Sequence, residues 1–394
     1  MNDQVGWARL AAARVVATPP LSDLAAGFTY SIVSNTGNGD NEHALRLFDV
    51  SGTVSVQGSA FSNTAEEFIH IDSASNLAGM TLNVGTTTAS TFTQPNTMAA
   101  IRAAGAFAGQ GILVTQRGSK NYTVNVSNST FTDIKLFGIQ VGSSVTSTAS
   151  NVNVNLVNND FLVTVTNALG NSNNRANTIN IQGLGTLDVD ALVTNNLLDG
   201  GGGGGIQLGA DNSSNVSATI TNNIVRDQFA DGLLLGVDEN ATMTVLIDNN
   251  QISNTSSDGM ELSNGISPGG VSVLNATITN NIVNGHSSNV GANAFVGGIG
   301  VFGGVEAADA TNLDIRSNNV SGNPSPGVYL DYFTQSFGDA IEVKGPGTLA
   351  VTEATLLSPG PLMNVSSAVS GGKTFLADVF FNNNAPIPTP SLTP

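Results

Sequence analysis

Residues 216–235 read VSATITNNIVRDQFADGLLL, and this stretch returns in altered form along most of the chain. In its first half Val216, Ala218 and Ile220 alternate with Ser217, Thr219 and Thr221. That is the period-two pattern of a strand with one buried face. An Asn pair, Asn222 and Asn223, ends the strand, and after a short polar link Gly232 opens the apolar run Leu233-Leu234-Leu235. Residues 243–262, MTVLIDNNQISNTSSDGMEL, repeat the whole arrangement 27 residues later.

Working outward, the Asn pair recurs as Asn158-Asn159, Asn195-Asn196, Asn249-Asn250, Asn280-Asn281 and Asn318-Asn319. More divergent copies are VSVQGSAF around Gly58 and VNVSNSTF, where Ser129 replaces the second Asn. The glycine half recurs at Gly111, Gly138, Gly205, Gly259, Gly298 and Gly327, with weaker coils at Ala44 to Leu47, Phe68 to Ile71 and Ile179 to Ile181. The links are too short and too polar to hold crossover helices, so parallel strands must stack without them. The spacing predicts an all-β fold, a single-stranded parallel β-helix of about ten coils of roughly 27 residues, stacked at about 4.8 Å per coil. Phe61, Phe131 and Phe161 fall at one equivalent core site.

Asn is normally depleted in strands, so its recurrence needs a reason. Stacked amides can donate to one neighbouring copy and accept from the other, which predicts a structural ladder of Asn159, Asn196, Asn223, Asn250, Asn281 and Asn319 at a coil corner. Which Asn of each pair points inward is open at this level, and the alternative is a polar stripe that binds a ligand.

The cadence of strand, Asn-Asn, apolar residue and Gly-Ile-x-Leu resembles the right-handed parallel β-helix repeats of the pectin-lyase-like superfamily, above all the repeat regions of large bacterial exported proteins. The resemblance covers roughly Phe28 to Val343 and implies a right-handed coil. It specifies an activity poorly, because such folds include polysaccharide lyases, hydrolases, tailspike-like proteins and adhesins. The expected organisation is an N-terminal segment at 1–27 with a short capping helix in its Ala-rich stretch, the β-helix over 28–345, terminal strands or a cap over 346–385, and a Pro-rich linker at 386–394.

Composition narrows the function classes. The net charge is −17 and the sequence pI about 4.2, with twelve basic residues scattered singly, which argues against nucleic acid or an anionic membrane as partner. There is no cysteine, so disulfides and thiolate chemistry are excluded. Arg9 and Arg14 interrupt the apolar stretch near the start, so the opening residues lack the unbroken core of a signal peptide. An extracellular or cell-surface location therefore requires a signal outside this chain, and the Pro-rich end predicts that something follows it.

Enzymes of the resembled superfamily set acidic or basic groups on one face of stacked coils. Asp231 and Asp258 precede the repeat glycine 27 residues apart, with Glu261 three residues further on, and paired carboxylates can act as general acid and base. The structural alternative is ordinary Asp-Gly turn chemistry. Asp211 and Asp238, with Glu239 beside the latter, are candidate calcium ligands, although no calcium-loop repeat is present. The motifs expected of a polygalacturonase-like or pectate-lyase-like site are not matched: Gly285-His286-Ser287 and Arg226-Asp227 are the nearest approaches. His43, His70 and His286 stand apart from any Ser or Asp constellation in the sequence.

Insertions at one phase of a solenoid emerge on one side. The long intervals at 162–177 and 284–297 predict two loops flanking a trough, with Arg226, Asp227, Asp231 and Asp258 on its floor and Arg175 and His286 on its walls. An extended neutral glycan or a host or neighbouring surface protein suits such a trough, and a polyanion does not. The reading that follows is a non-catalytic stalk or adhesin-like surface without a cofactor. A polysaccharide-active enzyme is the alternative.

Overall fold

The computed structural model describes residues 13–16, 24–29, 32–36, 43–73, 79–94, 109–143, 150–164, 178–284, 298–303 and 309–321, apart from positions 49, 65, 266, 268 and 317. It also describes the strands at 328–332, 354–356, 364–370 and 373–380. Among these residues there is no helix. The chain forms two compact units, Met1–Ile181 with Asn196–Gly203, and Gln182–Asn195 with Gly204–Pro394.

Each coil of the first unit contributes one strand to each of three parallel sheets. A representative coil has strands Ile112–Gln116, Tyr122–Ser127 and Thr130–Thr132. Ile112 lies between Ile69 and Ile139, Val124 between Leu82 and Val154, and Phe131 between Phe92 and Phe161 of the adjacent coils. Like residues therefore stack on like. Phe61, Phe92, Phe131 and Phe161 form a column with ring centroids 5.1, 4.7 and 4.9 Å apart and nearly parallel planes. The sequence cadence identified three members of this column, and the structure adds Phe92. Parallel pairing reaches into the N-terminal segment, where Ala13–Val16 pairs with Leu45–Phe48 and Leu24–Thr29 with Gly52–Gln57.

The second unit repeats the plan. Strands Leu233–Val237, Thr242–Asp248 and Gln251–Ser253 make one coil, with Leu233 opposite Ile206 and Met260, and Ile247 opposite Ile220 and Ile278. Gly232 has no room for a side chain: an added Cβ would sit 2.4 Å from Ile252 Cγ2 and 2.6 Å from the Gly259 carbonyl oxygen of the next coil. Toward the C-terminus, Ala354–Leu356 pairs with Val328–Tyr332, and Asn364–Ser370 with Lys373–Phe380 forms an antiparallel hairpin.

The two Asn residues of a pair have different tasks. The first adopts the left-handed region, with φ of 58° at Asn158, 57° at Asn222, 54° at Asn249 and 55° at Asn280, which Asn tolerates better than most residues. The second is buried. In the second unit Asn223 donates through Nδ2 to Asn250 Oδ1 at 2.9 Å and to the Val193 carbonyl at 2.9 Å, while its backbone N–H donates to the same Asn250 oxygen. Asn250 and Asn281 repeat this pattern. In the first unit Asn159 binds Asn196 in the same way, and Ser129 joins through its backbone N–H.

Asn319 is not part of this ladder. Ile278 pairs with Ile315 and Thr279 with Arg316, so the residue that meets Asn281 is Asn318, fully buried and bonded at 2.9 Å. Asn319 pairs with Ile282 and is exposed. Keeping the apolar residues inward fixes this register, and a slip of one residue would turn the whole strand inside out.

Candidate functional site

Two clusters of ionisable side chains occur among the described residues, one in each unit, and both occupy the same positions of the repeat. Leu45 pairs with Ile69 and Arg46 with His70, which sets His43 level with Glu67, two residues before the strand, and places His70 at the strand's second position. Leu233 pairs with Met260 and Leu234 with Glu261, which sets Asp231 level with Asp258 and places Glu261 at that same second position. Each cluster is thus two corner residues from successive coils plus one outward-facing strand residue.

In the first unit His43 Nδ1 lies 2.6 Å from Glu67 Oε2, and His43 Nε2 lies 3.2 Å from Glu66 Oε2 and 3.3 Å from His70 Nδ1. His70 Nδ1 is 3.7 Å from Glu67 Oε2, and the two imidazoles meet edge to face with centroids 4.6 Å apart. Arg117 is held 3.0 Å from Asp72 beside them. Burial lowers the pKa of His70 to about 4 against the pull of Glu67, and the charges of His43, Arg46 and Arg117 act in the same downward direction. Burial opposes ionisation of Glu67, yet the hydrogen bond and charge of His43, with His70, hold its carboxyl below the ordinary value. The sequence set these histidines apart. The folded coil brings His43 and His70 together with two glutamates.

In the second unit Asp231 and Asp258 are buried, and Asp231 Oδ1 accepts the Asp258 backbone N–H at 2.9 Å. Ligating oxygens of Asp231, Asp258 and Glu261 lie within 4.8 Å of one another. Burial, and then the charge of Asp231, push Glu261 up to about 7. Burial also raises Asp231, partly offset by its hydrogen bonds from Ser257 and the Asp258 backbone. The sequence spacing found this group, but it placed Asp231 and Asp258 on an open floor. They are turned into the corner instead, because Asp231 caps the next coil.

Arg226 and Asp227 are exposed at the strand Ile224–Gln228, where Asp227 has a φ of 57° and accepts Asn254 Nδ2 at 3.2 Å. Arg175 and His286, with most of the two loops thought to wall the trough, lie outside the described residues. Asp211 and Asp238 line a groove of about 310 Å³ with Gln182, Leu184 and Ser263. Their carboxylates accept turn N–H groups, from Asn212 at 2.7 Å and from Glu239 at 3.0 Å, and neither falls in a ligating cluster with Glu239. Both act there as turn-stabilising acceptors.

Residues 208–345 match the family described as "Right handed beta helix region". The chain is a right-handed parallel β-helix. The Dettilon tailspike protein is similar at 12% identity and a TM-score of 0.39, over 81% of this chain and 62% of the tailspike chain. A periplasmic alginate epimerase is similar at 12% identity and a TM-score of 0.32, over 88% of this chain and 82% of the epimerase. No curated protein matches the sequence. No helix among the described residues of this β-helix is long and apolar enough to cross a membrane.

Proposed function

We propose that this β-helix is a non-catalytic region of an exported bacterial surface protein, serving as a stalk or adhesive face that takes an extended neutral glycan or a surface protein. The observation that carries this reading is the use made of its polar side chains. Besides the buried ladder, outward amides and hydroxyls bond to their own copies in the next coil: Asn155 to Asn125 and Asn125 to Asn83 at 2.8 Å, and Thr221 to Thr194 at 3.0 Å. Such rows reinforce stacking and present amide and hydroxyl groups suited to hydroxyl-rich ligands, while the net charge of −17 disfavours polyanions. The test is to incubate the purified chain with pectin, alginate and neutral glycans, with and without calcium, and to screen it on a glycan array. Retention of neutral glycans without shortened products supports the proposal, and depolymerisation abolished by Glu261→Gln overturns it.

The second reading, a polysaccharide-active enzyme, is favoured by Glu261. A carboxyl raised to about 7 beside Asp231 and Asp258 is poised as a general acid at neutral pH. One carboxylate oxygen from each of the three lies within 4.8 Å of the others. Against it stands the burial of both aspartates.

A further inference from the structure

The cluster of the first unit has a donor set that its acidic counterpart lacks, two imidazoles beside two carboxylates. Borderline divalent ions of the first transition row, Zn²⁺ among them, favour such mixed nitrogen and oxygen shells, whereas calcium takes oxygen alone. Four-coordinate zinc, with bonds of about 2.0–2.2 Å, needs neighbouring ligand atoms about 3.4 Å apart. The consecutive separations from Glu66 Oε2 to His43 Nε2, on to His70 Nδ1 and on to Glu67 Oε2 are 3.2, 3.3 and 3.7 Å. Ligand atoms of His43, Glu67 and His70 all lie within 4.8 Å of one another, and Glu66 flanks His43.

The support around them fits the same role. His43 is buried, with Nδ1 2.6 Å from Glu67 Oε2 and Nε2 3.3 Å from His70 Nδ1. His70 presents Nδ1 to both His43 and Glu67. Around it Glu66, Glu67 and Asp72 outnumber Arg46 and Arg117, so a divalent cation meets a net negative surround.

We propose that His43 Nε2, His70 Nδ1 and the Glu67 carboxylate, with Glu66 at hand as a fourth ligand, form a site for a first-row divalent transition-metal ion that ties two successive coils of the first unit together. The site lies outside the reading given above for the protein as a whole, and its failure leaves that reading intact.

The test uses the full chain, stripped of metal and titrated with Co²⁺ as the spectroscopic probe for zinc. One equivalent should bind with the visible absorption of low-coordinate cobalt, Zn²⁺ should displace it, and Ca²⁺ should not. His70→Gln should weaken binding at least tenfold, by analogy with the roughly 10–100-fold losses seen when even supporting residues of metal sites are changed. Glu261→Gln and His286→Gln should leave it unchanged. X-ray absorption at the cobalt edge of the unmutated protein should count two imidazole nitrogens, a readout that does not depend on a variant folding. Absence of binding, binding unaffected by His70→Gln, or a shell without imidazole overturns the proposal.

Discussion

The two ionisable corners occupy the same positions of the coil and differ in what precedes the strand. At the corner of the second unit the intervening residues are Gly232 and Gly259, both aspartates are buried, and Asp231 caps the next coil. At the corner of the first unit they are Ala44 and Phe68, and the Phe68 ring packs 6.4 Å from Phe61 and 5.9 Å from Phe92. A corner that must accommodate a phenyl ring is built differently from one that closes on glycine. One backbone address therefore hosts either a histidine–glutamate pair or a pair of aspartates, and the chemistry is decided by side chains alone.

The opposed pKa shifts give the two corners opposite responses to pH. His70 is depressed below its ordinary value, so its unfolded form binds protons first, and the first unit loses stability as pH falls from about 6.5 to about 4. Glu67, also depressed, acts in the same sense below its ordinary 4.5. Glu261 is raised, so the folded form holds its proton longer, and the second unit loses stability as pH rises from about 4.5 to about 7.

The contrast can be broken most forcefully through what both units share. Asn250→Leu removes an amide that serves two neighbouring coils, and each buried group left without a partner costs about 1–3 kcal/mol. The midpoint of chemical denaturation should fall sharply, and an unchanged midpoint would mean that the ladder does not support the fold. Gly232→Ala should cost about 1–3 kcal/mol by overpacking against Ile252 and the Gly259 carbonyl. Ala44→Gly, at the equivalent position of the other corner, should cost only about 0.5–1 kcal/mol from lost backbone restraint. Equal losses in the two variants would refute the difference in corner construction.

Smaller effects sharpen the electrostatic half of the comparison. Glu261→Gln should stabilise the protein above pH 7, on the order of 1–3 kcal/mol, and leave it unchanged near pH 4, as read from denaturation at both values. The smallest expected change is at His70. His70→Gln should flatten the loss of stability between pH 6.5 and 4, seen as slower amide exchange in Ile69–Ser73 at the acid end. A variant that keeps the parent's pH profile would remove His70 as the titrating group.

The Asp231, Asp258 and Glu261 group was legible because it lies on the regular part of the repeat, where 27-residue spacing places residues on successive coils. The His43, Glu67 and His70 group was not. Its coil is shortened, so His43 stacks on Glu67, 24 residues away, and its neighbours lack the glycine that marks the cadence elsewhere. Ala44 to Leu47 and Phe68 to Ile71 were recognisable as weak coils, and laying one directly over the other would have set His43 on Glu67.

By itself the sequence determined the parallel stacking, the inward columns and the Asn corner, because a fixed repeat and alternating polarity leave one arrangement that buries every apolar column. Only the tertiary structure decided which Asn turns the chain and which joins the ladder, that Asn318 rather than Asn319 is the member next to Asn281, and that two histidines meet two glutamates. The reason is physical: those outcomes depend on backbone φ, on a register shift of one residue and on ångström-scale distances between coils, none of which is carried by the spacing of residues along the chain.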